Sequence, residues 1–460
     1  MAKTKISRRR FAAAVSAGSL WTLAGGSSSL ASIFSRESSK PALLGGGPVR
    51  SDSFPRWPIW DQADERAVLP VLRSGVWSRK DVVNAAEEKF ANLMGSKRCL
   101  LTFCGTQALI TALQTAGVGG GDEVLVTPYT FVATIDAILM NNALPVFVDV
   151  DPETWSIDPA KIEGKITGHT HALLPVHIGG SVCDMDAIMR IAKKHDLKVV
   201  EDACQAHMSE WKGKKVGTFG DFGCFSLQNS KVITCGEGGA IVGDDEKLMD
   251  LAHSFHNFGR PHGPYMKRGE HGHVMVGTKC RISEYQASIL MTQMETSDQE
   301  ISRREDNGRY LTAKLKEVPG LVPRKECPET TRVSYHYLGF RYKKEQFDGL
   351  PRDAFMKALR AEGIPVSKGL GNIEGVSQNR EGCIEAALNS KTYRAIYPPE
   401  RIKEYRDGLS CPEGEKLVEE IIGFGQSMLL GSRKDMDDIA DAVYKIYENR
   451  KALAAATSST

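Results

Sequence analysis

Lys231 stands twenty-nine residues after Asp202, an aspartate that closes the apolar run Val199-Val200-Glu201-Asp202. One residue offers a primary amine, the other a carboxylate at the carboxyl end of a strand, where open parallel sheets bind their ligands. An amine forms a Schiff base with an aldehyde, and a carboxylate keeps a pyridine nitrogen protonated so that the ring can draw in electrons. Pyridoxal phosphate needs both. Its phosphate also needs N–H groups at a helix start and nearby hydroxyls. Cys104-Gly-Thr-Gln107 offers a strand-to-helix turn of that kind, Ser226 adds a hydroxyl, and Gly236-Glu-Gly-Gly239 reads as a tight turn that lets backbone come close. The Gly105-Thr106 turn equally suits a simple helix cap, because the same unpaired N–H groups want either partner.

The residues between the aspartate and the lysine narrow the reading. Glu201-Asp-Ala-Cys-Gln-Ala-His207, Val216-Gly-Thr-Phe-Gly-Asp-Phe-Gly-Cys-Phe-Ser226 and Phe225-Ser-Leu-Gln-Asn-Ser-Lys231 follow one another in order. Cys104-Gly-Thr106, Pro128-Tyr-Thr-Phe-Val-Ala-Thr134, Pro175-Val-His-Ile-Gly-Gly180 and Gly277-Thr-Lys-Cys-Arg-Ile-Ser-Glu-Tyr-Gln286 accompany them. This set resembles the DegT/StrS family of pyridoxal-phosphate-dependent sugar and cyclitol aminotransferases, from about Pro41 to Tyr447.

The resemblance implies an α/β chain of the aspartate aminotransferase type (fold type I), working as a homodimer with shared active sites. Lys231 and Asp202 are then the catalytic pair. Gly105, Thr106, Gln107 and Ser226 would hold the phosphate, Phe131 would stack on the ring, and Gln205 would meet the side of the ring oxygen. Gly277-Thr-Lys-Cys-Arg281 stands where the family usually has Gly-x-Asn-x-Arg, whose asparagine reaches the neighbouring subunit's phosphate. Lys279 is therefore expected to bind that phosphate in trans through a charge-assisted hydrogen bond. Trp77, His177 and His336 are expected to face substrate. Trp77, the Gly-Gly-Gly-Pro-Val-Arg50 stretch and Val-His-Ile-Gly-Gly180 look most like the branch of scyllo-inosose aminotransferases and aminohydroxybenzoate synthases. That likeness implies L-glutamate or L-glutamine as donor, a keto-sugar or keto-cyclitol as acceptor, and a ping-pong exchange. Two other readings compete: a sugar dehydratase, which in this family carries histidine where Lys231 stands, and an exported binding or sensory protein without turnover.

The elements that must position these residues are legible as short apolar runs. Cys99 to Phe103, Glu123 to Thr127, Pro145 to Asp149, Ala172 to Val176, Lys198 to Glu201, Phe222 to Phe225 and Ala240 to Val242 read as strands buried on both faces, hence a mainly parallel sheet. Gln107 to Ala116 and Asp184 to His195 carry helical spacing, with Asp184 as N-cap. A long amphipathic stretch from Ile282 to about Val318 leads to a smaller α+β domain with a strand at Tyr335 to Tyr342 and a helix at Asp353 to Glu362. The expected division is 1–31 signal, 32–75 arm, 76–300 cofactor-binding domain, 301–450 small domain and 451–460 disordered tail.

The chain has 460 residues, 41% of them hydrophobic, enough for a large core and a second domain. Ser7-Arg-Arg-Arg-Phe11 before the mildly apolar Ala12 to Gly26 reads as a twin-arginine export signal, with cleavage after Ser29-Leu-Ala31. The twin-arginine translocase would then be a partner and the periplasm the destination. Without the five basic residues of that segment the formal charge falls from +2 to −3, which implies no nucleic-acid surface. The ten cysteines contain no C-x-x-C pair and read mostly as buried thiols. Five histidines fall between His253 and His273 without the accompanying ligands of a zinc motif, so no metal is expected.

Overall fold

The computed structural model describes residues 40–267, 269, 272–369 and 376–457. The proposed export signal lies outside the described residues. Seven strands form the central sheet: β1 (Arg98–Thr102), β2 (Glu123–Val126), β3 (Leu144–Phe147), β4 (Thr170–Leu174), β5 (Lys198–Asp202), β8 (Phe222–Ser226) and β9 (Gly239–Gly243). Their order is β1-β9-β8-β5-β4-β2-β3. Strand β9 runs antiparallel to both neighbours, and the other pairings are parallel. The apolar runs fill both faces because helices cover both, as a parallel sheet demands. Leu100, Val124, Val126, Leu174 and Val200 pack into one core cluster, while Leu101, Leu125, Leu173 and Val199 pack into another. That alternation along single strands is the pleat itself.

Between β5 and β8 the chain makes the hairpin β6 (Glu210–Trp211) and β7 (Lys214–Lys215). The C-terminal part builds a second sheet in the order β10 (Leu321–Pro323), β12 (Tyr337–Tyr342), β13 (Ile421–Gly425), all antiparallel. Strand β11 (Thr330–Arg332) pairs with β6. The division expected at 300/301 therefore corresponds to no break: the helix Glu284–Leu315 runs through it, and β11 sits on the hairpin of the first domain. Helices from 382 to 407 also return to the central sheet, where the Tyr393 hydroxyl donates to the carbonyls of Leu139 and Ala143 at 3.0 and 2.8 Å. The tail expected to be disordered from 451 forms a helix, Arg450–Thr457, and buries Leu453.

The N-terminal arm is strapped to the small domain by polar contacts rather than by regular structure. Glu362, fully buried, accepts from the N–H groups of Ala42 and Val49 at 2.8 and 3.0 Å and from Lys445 Nζ at 2.8 Å. Arg50 reaches Asp435 and Asp438 at 2.5 and 2.9 Å. Replacing Glu362 by alanine leaves two N–H groups without acceptors and a buried ammonium without its carboxylate, held only by the Gly47 carbonyl at 2.7 Å. The expected loss is about 3–5 kcal/mol of unfolding free energy, the range for breaking a buried ion pair, read from denaturant melts of Glu362→Ala against wild type.

Candidate active site

Asp202 ends β5 with only 5% of its surface exposed. Its Oδ2 accepts from the Thr134 hydroxyl at 2.7 Å and its Oδ1 from the Cys204 N–H at 3.1 Å. Among the described residues no arginine or lysine forms an ion pair with it. A buried carboxylate held by two neutral donors is costly unless a cation joins it, and a protonated pyridine nitrogen is such a cation. The site thus fits the ring of pyridoxal phosphate on the evidence of Asp202 alone.

Lys231 lies in the loop between β8 and β9, half-buried, with its own N–H donating to the Gln228 carbonyl at 2.9 Å. Burial lowers its pKa below the ordinary lysine value, against the opposing pull of Cys204 and Asp202. A larger neutral fraction suits an amine that must act as nucleophile and base.

The phosphate end is expected where β1 and β8 finish on either side of β9. The helix Gly105–Thr115 starts at Cys104, whose sulfur accepts from the Gln107 N–H at 3.4 Å. Gly105 abuts Ser226 so closely that a Cβ there would lie 2.7 Å from Ser226 Cβ and 3.2 Å from Cys204 Sγ. Glycine is required by space. The close approach of Gly105 brings the first turn, which carries Thr106 and Gln107, against Ser226, and these are groups of the kind a phosphate cradle uses.

Phe131 immediately precedes the helix Val132–Met140, whose residue Thr134 holds Asp202. Phe131 is 44% exposed although the preceding Thr130 is buried, an exposure suited to an aromatic that covers a ligand. Gln205 is buried, and its Oε1 accepts from the Gly179 N–H at 2.8 Å, which leaves its amide NH₂ to donate to a ring oxygen.

Of the three residues expected to face substrate, His177 is turned into the protein, while His336 and Trp77 are placed as follows. His177 is fully buried: its Nδ1 accepts from the Cys183 N–H at 3.2 Å, so Nε2 carries the proton and donates to Glu201 Oε2 at 3.1 Å. Both nitrogens are used inside the protein and neither is left for substrate. Glu201 takes the N–H groups of Gly217, Phe219 and Gly220 as well, fixing the turn before β8. His336 is also buried, and burial followed by the charge of Lys231 drives its pKa well below the usual histidine range. It is a neutral imidazole in the electrostatic field of the lysine, closed to solvent. Trp77 is more than half exposed and donates to the Leu72 carbonyl of its own segment at 3.0 Å. Lys279 is exposed on a short bridge with Asn257, and among the described residues no hydrogen bond or ion pair joins it to Lys231 or Asp202.

Thr134 and Trp57 were not picked out as site residues from the sequence. Thr134 closes the quoted motif three residues after Phe131, one helical turn on, and that spacing was a usable signal. The Trp57 indole N–H donates to the Lys231 carbonyl at 3.1 Å across a separation that no local pattern reveals.

The sheet order and an amine and carboxylate at the strand ends define a pyridoxal-phosphate-dependent enzyme of fold type I. The chain belongs to the DegT/DnrJ/EryC1/StrS aminotransferase family, which matches residues 58–368. It is 35% identical over 429 residues to an L-glutamine:2-deoxy-scyllo-inosose aminotransferase of Streptoalloteichus tenebrarius, covering 90% of this chain and 99% of the relative. An L-glutamine:scyllo-inosose aminotransferase of Streptomyces griseus is 34% identical, with 88% and 97% covered. Among solved structures, 3-amino-5-hydroxybenzoic acid synthase superposes with a TM-score of 0.74 at 30% identity, covering 86% of this chain and all of that one. The protein is an aminotransferase that uses pyridoxal phosphate.

Proposed function

We propose that this aminotransferase moves the α-amino group of L-glutamine, or of L-glutamate, to a keto-cyclitol or keto-sugar in two half-reactions. The observation that carries the chemistry is the buried Asp202, which forms no ion pair among the described residues and acts electrostatically on Lys231. The relatives named above support the donor and acceptor classes. When bound, pyridoxal phosphate supplies the electron sink. Asp202 holds the ring nitrogen's proton, with Thr134 fixing the carboxylate. Lys231 Nζ would serve as the base that takes the proton from the donor's Cα and as the acid that delivers it to the cofactor's C4′. The same residues run both halves, so the keto acid from the donor leaves before the acceptor enters. With L-glutamine labelled with ¹⁵N at the α position, the aminated cyclitol should carry the label. Label found only after feeding amide-labelled glutamine would contradict the proposal.

The proposed working unit is a homodimer. Phe103, Phe258 and Val276 stand exposed on segments that flank the site, an apolar surface expected to be covered. Lys279, exposed in the same region, would then reach the neighbouring subunit's cofactor phosphate. A charged ligand screened by ions predicts that wild-type cofactor affinity falls with added salt, and that Lys279→Ala binds more weakly with a shallower salt dependence. Equal dissociation constants for both proteins at low and high salt would remove Lys279 from the phosphate.

Export by the twin-arginine route remains the proposed destination, after folding with cofactor in the cytoplasm. Arg8→Lys combined with Arg9→Lys should retain folded, cofactor-loaded protein in the cytoplasm. Identical fractionation of the variant and wild type would refute the signal.

A further inference from the structure

Lys231 has to keep its backbone fixed while its side chain alternates between cofactor-bound and free, yet it sits in a loop with little regular bonding. Its carbonyl and that of Ser230 belong to no strand ladder or helix. Two side chains from distant parts of the chain take them. Trp57 Nε1, on the N-terminal arm, donates to the Lys231 carbonyl at 3.1 Å. Gln426 Nε2, just past β13, donates to the Ser230 carbonyl at a longer 3.5 Å. Arg304, on the helix Glu284–Leu315, joins the two: its Nε donates to Gln426 Oε1 at 2.8 Å, and its guanidinium lies over the Trp57 ring at 4.6 Å. Arg304 itself is fully buried and is paired with Glu300 at 3.4 Å.

The contacts close a ring: Lys231 carbonyl, Trp57, Arg304, Gln426, Ser230 carbonyl. We infer that Trp57, Arg304 and Gln426 form a clamp that sets where the Lys231 amine stands, with Trp57 and Gln426 as positioning residues for transamination. The inference rests on Lys231 being the residue that binds the cofactor. Several features favour positioning over mere packing. The clamp's donors are spent on the two peptide groups flanking the lysine side chain's root, not on neighbouring helices. Each donor also comes from a different part of the fold, the arm and the small domain, so the position of both is read out at the lysine. Arg304 further influences His336, the neutral imidazole in the field of Lys231, which puts the clamp's charge in the same electrostatic environment as the amine. A displacement of a reacting amine by a fraction of an ångström is enough to slow a reaction that depends on alignment.

Trp57→Phe keeps an aromatic ring under Arg304 and removes the N–H together with part of the indole's volume. Gln426→Met fills similar volume and removes both of that residue's hydrogen bonds. Three measurements are made on each: the pH titration of the holoenzyme's visible absorbance band, the single-turnover half-reaction with L-glutamine at varied donor, and thermal melting of the cofactor-free protein. For both variants the expected result is a shift in the titration midpoint and a fall of roughly 10-fold in the half-reaction rate constant with donor affinity held, while melting is little changed for Trp57→Phe and falls for Gln426→Met, which leaves the buried Arg304 Nε without its acceptor. If either variant leaves the titration and the rate at wild-type values, or lowers only the melting temperature, the clamp has no role in positioning. Borohydride reduction and peptide mapping of wild type keep the two ideas apart. Label on a lysine other than Lys231 defeats the site assignment itself, whereas label on Lys231 with unchanged titrations defeats only the clamp.

Discussion

Lys231→Ala should bind pyridoxal phosphate only non-covalently and perform neither half-reaction. The amine is the one group at the site able both to join the cofactor's aldehyde and, once free, to move a proton at the donor's Cα. Nothing else near Asp202 can substitute, since His207 and His336 are buried and held neutral by burial and the lysine's own charge, with His207 pushed down to about 3. Removing Lys231 takes away that charge and eases their protonation, but supplies no nucleophile that could replace an amine. Borohydride reduction of wild type should fix the cofactor to the peptide containing Lys231. The variant should yield no labelled peptide and no turnover, a loss at the limit of detection. A labelled lysine in the variant, with transamination retained, would overturn the assignment.

Asp202→Asn should keep the fold and the cofactor while slowing the half-reaction on the order of 100-fold or more, the scale seen when a fixed electrostatic partner of a developing charge is removed. Asparagine is nearly isosteric, so the Thr134 and Cys204 contacts have a carbonyl oxygen to retain at one position. What disappears is the negative charge. A neutral amide has no means of stabilising a protonated ring nitrogen, and without that proton the ring loses its capacity to draw electrons from the donor's Cα. Single-turnover absorbance changes with L-glutamine check the rate, and equilibrium dialysis checks that the cofactor still binds. Turnover near wild type would reduce Asp202 to a structural cap.

Much of the sheet was legible because parallel strands buried on both faces read as continuous apolar runs, and all seven runs became strands of one sheet. Asp202 was legible for the same reason: it ends such a run, and chain topology sends strand ends to one crevice. His177 shows where that logic stops. It follows its strand closely, as Asp202 ends its own, but a buried acceptor, Glu201, turns its ring inward, and a side chain's direction at a strand end depends on neighbours in space. Trp57 shows a second limit. Its bond to the Lys231 carbonyl spans 174 residues, and nothing in Phe54-Pro-Arg-Trp-Pro-Ile-Trp60 distinguishes it from Trp60, which stays about half exposed. The C-terminal helix, by contrast, was readable and missed. Lys451-Ala-Leu-Ala-Ala-Ala456 consists of strong helix formers, and Leu453 offered the apolar contact that holds it down.

The central claim is that Lys231 and Asp202 form a working transamination site. It is tested most directly by titrating the purified holoenzyme with L-glutamine while following the visible absorbance of the bound cofactor. The half-reaction is visible without knowing the acceptor. The account predicts that the band bleaches on adding the donor and returns on adding a keto-cyclitol. A band that neither L-glutamine nor L-glutamate perturbs would contradict it.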